Sequence, residues 1–388
     1  MTRIAVIGAG AAGCFCASLL RKWAPTAHIT VFEAGAKPMA KLAITGGGRC
    51  NLTNSFGGIR TLSEAYPRGE RTMKRALKAF SQEDTIAWFT AAGVPCVLQE
   101  DHCWFPRSQD AMDVVRALLR GMQGAELRLQ TPIHNVKSLL DSFDYVVVTT
   151  GGAPKGLPFL EGLDLELVPS VPSLFTFTVK DPALNALTGL VVEARLGIPG
   201  TAFSARGALL ITDWGLSGPA TLKLSSYAAR YLAEQTYRAP LLVNWLGMPQ
   251  DAVREFLLTS ARENPQKMVK TTHGPLPARL WEMLFKKAGL REDLRWAELG
   301  SKGLNKLVAV LSQDSYAIAG KSRFRDEFVT AGGVALSNID LGTLESKRYP
   351  GLYFAGEVLD IDAITGGFNL QAAWSTGYMC ARSIVQSL

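Results

Sequence analysis

Gly8, Gly10 and Gly13 carry the spacing G-x-G-x-x-G directly after the apolar run Ile4–Ile7 and at the start of a helical stretch reaching about Lys22. That arrangement binds a nucleotide pyrophosphate. The first glycine permits a tight turn, the second admits the phosphates to the backbone, the third lets helix meet sheet, and the helix N-terminus stabilises the anion. Twenty positions after Gly13, the predicted strand Ile29–Phe32 ends in Glu33. A carboxylate there binds ribose hydroxyls, which argues for FAD or NAD over NADP.

Two further segments favour FAD. Lys41–Asn54 (KLAITGGGRCNLTN) places Gly46, Gly47 and Gly48 beside Arg49, Cys50 and Asn51, a loop able to lie against a flat ring and offer it backbone amides. Near the other end, a predicted strand over 352–355 runs into Gly356-Glu357, then Asp360 and Asp362, acids able to meet ribityl hydroxyls, then Gly366-Gly367-Phe368-Asn369 at the head of a closing helix. Amides at that helix start would face negative charge on a reduced flavin. Cys50, in the glycine loop, has two readings: a proton donor for alkene reduction, or a small packing residue with a weak S–H.

These residues need a βαβ scaffold, and the pattern supplies one. Strand, glycine turn, helix and strand occupy residues 4–33, and Tyr145–Val148 is a second buried strand running into Thr149-Thr150-Gly151-Gly152. Between them the periodicity predicts a helix and turn over 72–93, a helix over 110–122 with Asp110 as N-cap, and strands within 125–136. From about 168 to 243 short β-rich pieces alternate with Pro and Gly; from 249 to 311 helical spacing dominates, as in Leu304, Leu307, Val308 and Leu311. The fold class expected is α/β: a Rossmann-like FAD-binding domain of the two-dinucleotide-binding-motif type over 1–165 and 327–388. A β-barrel-like insert over 166–248 and 312–326 encloses a helical insert over 249–311.

Composition narrows the classes. With 388 residues and 47% apolar content, the chain can bury one large core or several smaller ones. Six cysteines without CxxC or zinc spacing point to reduced thiols in the cytoplasm and to no metal. No apolar run approaches a membrane span, and glycines punctuate the stretch that would otherwise imitate a signal peptide. The net charge of +7 modestly favours an anionic partner. Basic residues cluster over 60–78 (Arg60, Arg68, Arg71, Lys74, Arg75, Lys78). A second cluster covers 262–325, with Trp281, Phe285 and Trp296 interleaved and Lys321, Arg323 and Arg325 at its end. Each is either a solvated face or a grip on an RNA backbone, with aromatics stacking a splayed base.

The glycine loop, the closing block GEVLDIDAITGGFNLQAAWSTG, Thr149–Pro154 and Gly215-Leu-Ser-Gly-Pro219 together resemble the YhiN/BaiN-like flavoprotein family through nearly the whole chain. That resemblance implies FAD held by Gly8, Gly10, Ala12, Gly13, Glu33, Lys41, Gly48, Arg49, Asn51, Gly152, Gly356, Glu357, Gly367, Phe368 and Asn369. It also implies reduction of carbon–carbon double bonds, including uridine to dihydrouridine in 23S ribosomal RNA and steroid-like enones. No second G-x-G-x-x-G follows a strand, so NADH or NADPH would dock transiently. The expected course is hydride from NAD(P)H to FAD, then to a conjugated C=C, with Cys50 or water giving the proton. Ribosomal RNA is the expected partner. A small-molecule reductase or oxidase acting on an enone or amine, and a non-catalytic FAD-binding sensor, stay open.

Overall fold

The computed structural model describes residues 1–153, 156–272, 274–321 and 329–388; Pro154, Arg323, Arg325 and the expected 326/327 boundary lie outside them. The chain divides into two units, Met1–Ser173 with Asp326–Leu388, and Leu174–Arg325.

The first unit is built on five parallel strands in the order Leu352–Phe354, Tyr145–Val148, Arg3–Ile7, His28–Phe32, Glu126–Arg128. Ile4–Ile7 and Val146–Val148 are fully buried, as a sheet covered on both faces requires. Ile7 lies opposite both Phe32 and Val148, so the three central strands end level. The first helix, Ala11–Trp23, packs against the closing helix, Phe368–Ser387, so closely that a Cβ on Gly377 would stand 2.9 Å from the Ala12 carbonyl oxygen.

Asp110 caps Ala111–Gly121 through the Met112 amide at 2.8 Å, as expected. The helix predicted over 72–93 is instead two, Glu70–Ala79 and Gln82–Ala91. Ser81 and Asp84 form a reciprocal capping box that starts the second. The alternation over 125–136 yields one strand, Glu126–Arg128; beyond it Leu129 is exposed, with no partner strand to hold an apolar face. Leu167–Ser173 belongs to this unit rather than to the insert, because its antiparallel partner is Val329–Val334.

The second unit holds a closed antiparallel barrel of six strands: Val191–Gly197, Ser204–Thr212, Gly215–Ser217, Phe177–Val179, Asp314–Lys321 and Ala239–Asn244, returning to the first. Closure removes the free edges that short strands would otherwise expose. Helices Gln250–Glu263, Ala278–Lys287 and Gly300–Ser312 bury the apolar positions the spacing marks, among them Val253, Leu280, Leu284, Leu307 and Leu311.

One polar contact ties these helices to the barrel. The Asp314 carboxylate, 2% exposed, accepts from Trp245 Nε1 at 3.0 Å and pairs with Lys287 Nζ at 2.6 Å. Replacing Asp314 by Ala leaves an indole N–H and an ammonium without their acceptor. Lys287 is about one-third exposed, so solvent recovers part of the loss. We expect Asp314→Ala to destabilise this unit by about 2–3 kcal/mol in denaturant melts, and Asp314→Asn, which keeps an acceptor for Trp245, by less. Equal stability of wild type and Asp314→Ala would contradict the role assigned to this contact.

Candidate functional site

The glycine turn closes where the central strands end. A Cβ on Gly13 would fall on the Gly8 carbonyl oxygen, and one on Gly8 would lie 2.6 Å from the Thr149 carbonyl oxygen. Gly10 is different: a Cβ there would meet nothing within 4 Å. The helix it leads has neither a side-chain cap nor an acidic residue in its first turn. Its leading amides therefore retain donors for an anion, with open space in front of Gly10. Glu33 lies alongside, its two carboxylate oxygens accepting from the Ala9 amide at 2.9 Å and the Gly35 amide at 2.7 Å. These residues fit a dinucleotide.

From this turn a line of contacts runs to the closing block. Ala12 is buried, its methyl 3.0 Å from where a Gly356 Cβ would stand, and the Gly356 amide donates to Thr376 Oγ1 on the closing helix at 2.9 Å. Glu357 beside it pairs with Lys41 Nζ at 3.0 Å and accepts from the Thr330 amide at 2.7 Å. A Cβ on Gly152 would meet that same carboxylate at 2.6 Å. Lys41 belongs to Ala40–Gly48, whose helical path breaks at Thr45, Gly46 and Gly47. Gly46, Gly47 and Gly48 all take positive φ, and a Cβ on Gly47 or Gly48 would meet nothing within 4 Å. Arg49 donates from Nε to the Gly46 carbonyl at 3.1 Å and lies over the Phe105 ring.

Asn51 closes the line. Oriented to satisfy both neighbours, its amide donates to the Thr53 carbonyl at 3.0 Å and accepts from the Gly367 amide at 3.2 Å. Phe368 is buried, edge-on to Phe56 and Tyr66, and Asn369 brackets the Ala363 backbone, accepting from its amide at 2.9 Å and donating to its carbonyl at 3.0 Å. Phe368–Ser387 is a second helix led by a glycine, Gly367, with no side-chain cap and no acid in its first turn. All fifteen residues implied for FAD thus occur along this one line in the first unit.

Two residues lie deeper than the roles considered for them would require. Cys50 is fully buried, and burial pushes its thiol up to about 12, partly offset by a hydrogen bond with Thr45. This burial favours the packing reading of Cys50 over proton donation. Asp362 is likewise buried, its carboxylate taken up by protein partners. Arg68 grips it through two hydrogen bonds, and Ser173 Oγ donates to it at 3.0 Å. Burial raises the Asp362 carboxyl while the Arg68 guanidinium opposes the rise. Asp360 is half-buried.

Sequence reasoning missed Arg68 as a partner of Asp362 and Gln371 as a hub. Gln371, fully buried, accepts from Thr53 Oγ1 at 2.6 Å and Thr85 Oγ1 at 2.9 Å and donates to Ser375 Oγ at 2.9 Å. Both pairings span about 290–320 residues of chain, and no local pattern announces them.

The two basic clusters also separate. In the second unit Trp281, Phe285 and Trp296 are at most 2% exposed, and Trp281 Nε1 donates to the Val269 carbonyl at 2.9 Å, so none of the three is placed to stack a base. Of the ten cations over 262–306, five form local ion pairs, Arg262 with Glu255, Lys270 with Glu292, Lys286 with Glu282, Lys287 with Asp314, and Arg291 with Asp293 and Glu298, and Arg279, Arg295 and Lys306 donate to Ala186, Gln266 and Gly289. The reading of that cluster as an RNA platform with stacking aromatics is corrected accordingly.

The model of the HI0933-like protein Rossmann domain matches residues 2–383. The chain belongs to this family. Two curated relatives are each named ribosomal RNA dihydrouridine synthase. That of Escherichia coli K12 is 29% identical, and that of Haemophilus influenzae 30%, each alignment covering 98% of this chain and 97% of the relative. A 3-dehydro-bile acid delta(4,6)-reductase of Clostridium scindens is 27% identical over the full length of both chains. Like its family, the chain is an FAD-dependent oxidoreductase. Among the described residues no group of His, Cys, Asp and Glu could hold a metal, and no helix is long and apolar enough to cross a membrane.

The glycines separate fold from ligand. Gly10→Val is expected to leave the apoprotein's melt within about 1 kcal/mol of wild type, an N-cap effect. It should weaken FAD binding at least ~10-fold, equivalent to ~1.4 kcal/mol. Gly13→Ala is expected to destabilise the apoprotein itself by about 2–3 kcal/mol through overpacking. FAD affinity untouched by Gly10→Val would contradict this division. The thiols give a second check. Five of the six cysteines are buried, and burial pushes the half-exposed Cys96 up to about 11, so alkylation at pH 8 should be slow in the native protein and reach six thiols only on unfolding. Rapid native labelling of Cys50 would contradict its burial.

Proposed function

We propose that this protein reduces the C5=C6 double bond of a uridine in ribosomal RNA, taking its electrons from NADH or NADPH. Support comes from near-full-length similarity to two ribosomal RNA dihydrouridine synthases, joined to the continuous dinucleotide cradle of the first unit. Bound in that cradle, FAD supplies a carrier that accepts a hydride from one partner and releases it to another.

The chain's own residues bind and orient. The amides of the Ala11–Trp23 helix start would hold the pyrophosphate, and Glu33 would hold ribose hydroxyls next to the amides it already binds. Lys41 and Glu357 fix each other and Asn51 fixes Gly367, so these residues would hold the bound cofactor in place. The reaction balances as uridine plus hydride plus proton giving 5,6-dihydrouridine, with NAD(P)H oxidised to NAD(P)⁺. Hydride goes to the carbon β to the carbonyl and the proton to its neighbour. Cys50 is fully buried with its thiol pushed up by that burial, so water is the proposed proton source.

A second reading rests on the bile-acid reductase relative: reduction of a conjugated enone in a small molecule. The electron-donor half is the same for both, and anaerobic bleaching of the yellow flavin by NADH or NADPH tests it.

Mapping dihydrouridine in ribosomal RNA from cells with and without the gene separates the two. We expect one or more discrete sites to vanish with the gene; unchanged RNA, with enone turnover by the purified protein, would move the assignment to the small molecule. Cys50→Ala should form product at the wild-type rate per bound FAD, and a loss of two or more orders of magnitude, the size of a general-acid effect, would return the proton to this thiol.

A further inference from the structure

Helix Glu70–Ala79 presents Arg71, Lys74, Arg75 and Lys78 at spacing i, i+3, i+4, i+7, all exposed, while Thr72, Met73 and Ala76 on the opposite face are buried. Neighbours at this spacing lie about 5–6 Å apart, inside the ~8–10 Å screening length of physiological salt, so the four cations repel one another across a single face. Among the described residues no ion pair or side-chain hydrogen bond engages any of the four. Asp340, whose carboxyl is held low chiefly by the Gly342 amide, feels Arg75 only through space. In the second unit, by contrast, eight of the ten cations over 262–306 have ion-pair or hydrogen-bond partners of their own.

The position of the helix gives the stripe a direction. The segment just before it is laced to residues 361–364, which lead into Gly366–Asn369, the loop expected on the flavin side. The Ile364 amide donates to the Ala65 carbonyl at 2.9 Å, Arg68 and Asp362 form a β-bridge as well as an ion pair, and a Cβ on Gly69 would fall 2.5 Å from Ile361. Arg71 is therefore three residues from a side chain that pins the loop leading to Gly366, Gly367 and Phe368. Arg71 to Lys78 spans about 10 Å of helix axis, roughly three phosphate intervals and so about four phosphates on one strand of a duplex.

We infer that this stripe is the phosphate-gripping surface of the protein, holding an RNA backbone so that the neighbouring nucleotide is delivered to the flavin-side loop. The inference rests on the RNA reading above and names the surface that serves it. Arg68, spent on Asp362, is not part of the grip.

The test uses holoprotein carrying Arg71→Gln, Lys74→Gln, Arg75→Gln and Lys78→Gln together, since Gln keeps helix propensity close to that of Lys and Arg. FAD content and melting temperature verify the fold. Binding of a short fluorescein-labelled RNA stem–loop is titrated between about 50 and 200 mM KCl. Removing four phosphate contacts should flatten the log–log salt slope by about 3 and weaken binding at least about tenfold. Four Gln substitutions at Lys267, Lys270, Arg291 and Arg295 should change the slope by less than about 1.

A stripe variant that binds RNA like wild type overturns the proposal. So does wild-type binding to phosphatidylglycerol vesicles but not to RNA. Dihydrouridine in cellular ribosomal RNA is read in parallel. Gene-dependent dihydrouridine with stripe-independent binding removes the stripe and leaves the substrate standing. Stripe-dependent binding with gene-independent dihydrouridine supports the stripe and removes the substrate.

Discussion

Where Arg3–Ile7 and Tyr145–Val148 end side by side, backbone meets backbone with no room for a side chain. Thr149 Oγ1 donates to both the Ile7 carbonyl at 3.0 Å and the Gly8 carbonyl at 2.8 Å, and Gly13 brings the first helix down on the same oxygen. This joint sets the direction of the Ala11–Trp23 helix, and so where its uncapped amides point. It also sets the distance to Gly356, which settles against Ala12 and carries Glu357 to Lys41 and Gly152. Widening it by one methyl group would shift each later contact in the cradle, because close-packed interiors transmit strain.

The cradle draws on both ends of the chain, and buried polar contacts hold those ends together. Gln371 satisfies threonines from two separate segments, Trp374 Nε1 donates to the Leu52 carbonyl at 2.9 Å, and Arg68 meets Asp362 across 294 residues. Breaking such a contact leaves a buried donor or acceptor without water, so each fixes register more firmly than it adds net stability. The loop bearing Gly366–Asn369 is thereby laced to Ala65–Gly69, and the basic helix begins one residue later.

Residues whose partners are near in sequence were legible. The βαβ opening, the Asp110 cap and the helical face through Leu304, Leu307, Val308 and Leu311 all follow from periods and caps within a few turns. The Ser81 capping box was written in the sequence too, but the apolar spacing on either side masked it, so two helices read as one. Alternation at Leu127 and Leu129 promised more strand than exists, since a strand persists only where a neighbour pairs with it. Leu167–Ser173 was assigned to the wrong unit for the same reason: its partner, Val329–Val334, is more than 150 residues away. Cys50 carried a chemically suggestive position, yet depth is a tertiary property that position does not encode. Trp281, Phe285 and Trp296 looked like stacking platforms among cations and are instead core residues of the unit they stabilise.

The first glycine turn, the Gly46–Gly48 loop and the Gly356–Asn369 block are proposed to assemble one FAD site. A crystal structure of the FAD-loaded protein tests it most directly. Electron density is expected for the pyrophosphate at the start of Ala11–Trp23, for the adenosine ribose at Glu33, and for the flavin ring between Gly46–Gly48 and Gly367–Asn369. Flavin density away from the closing block, or an adenine in the place assigned to the ring, would contradict it.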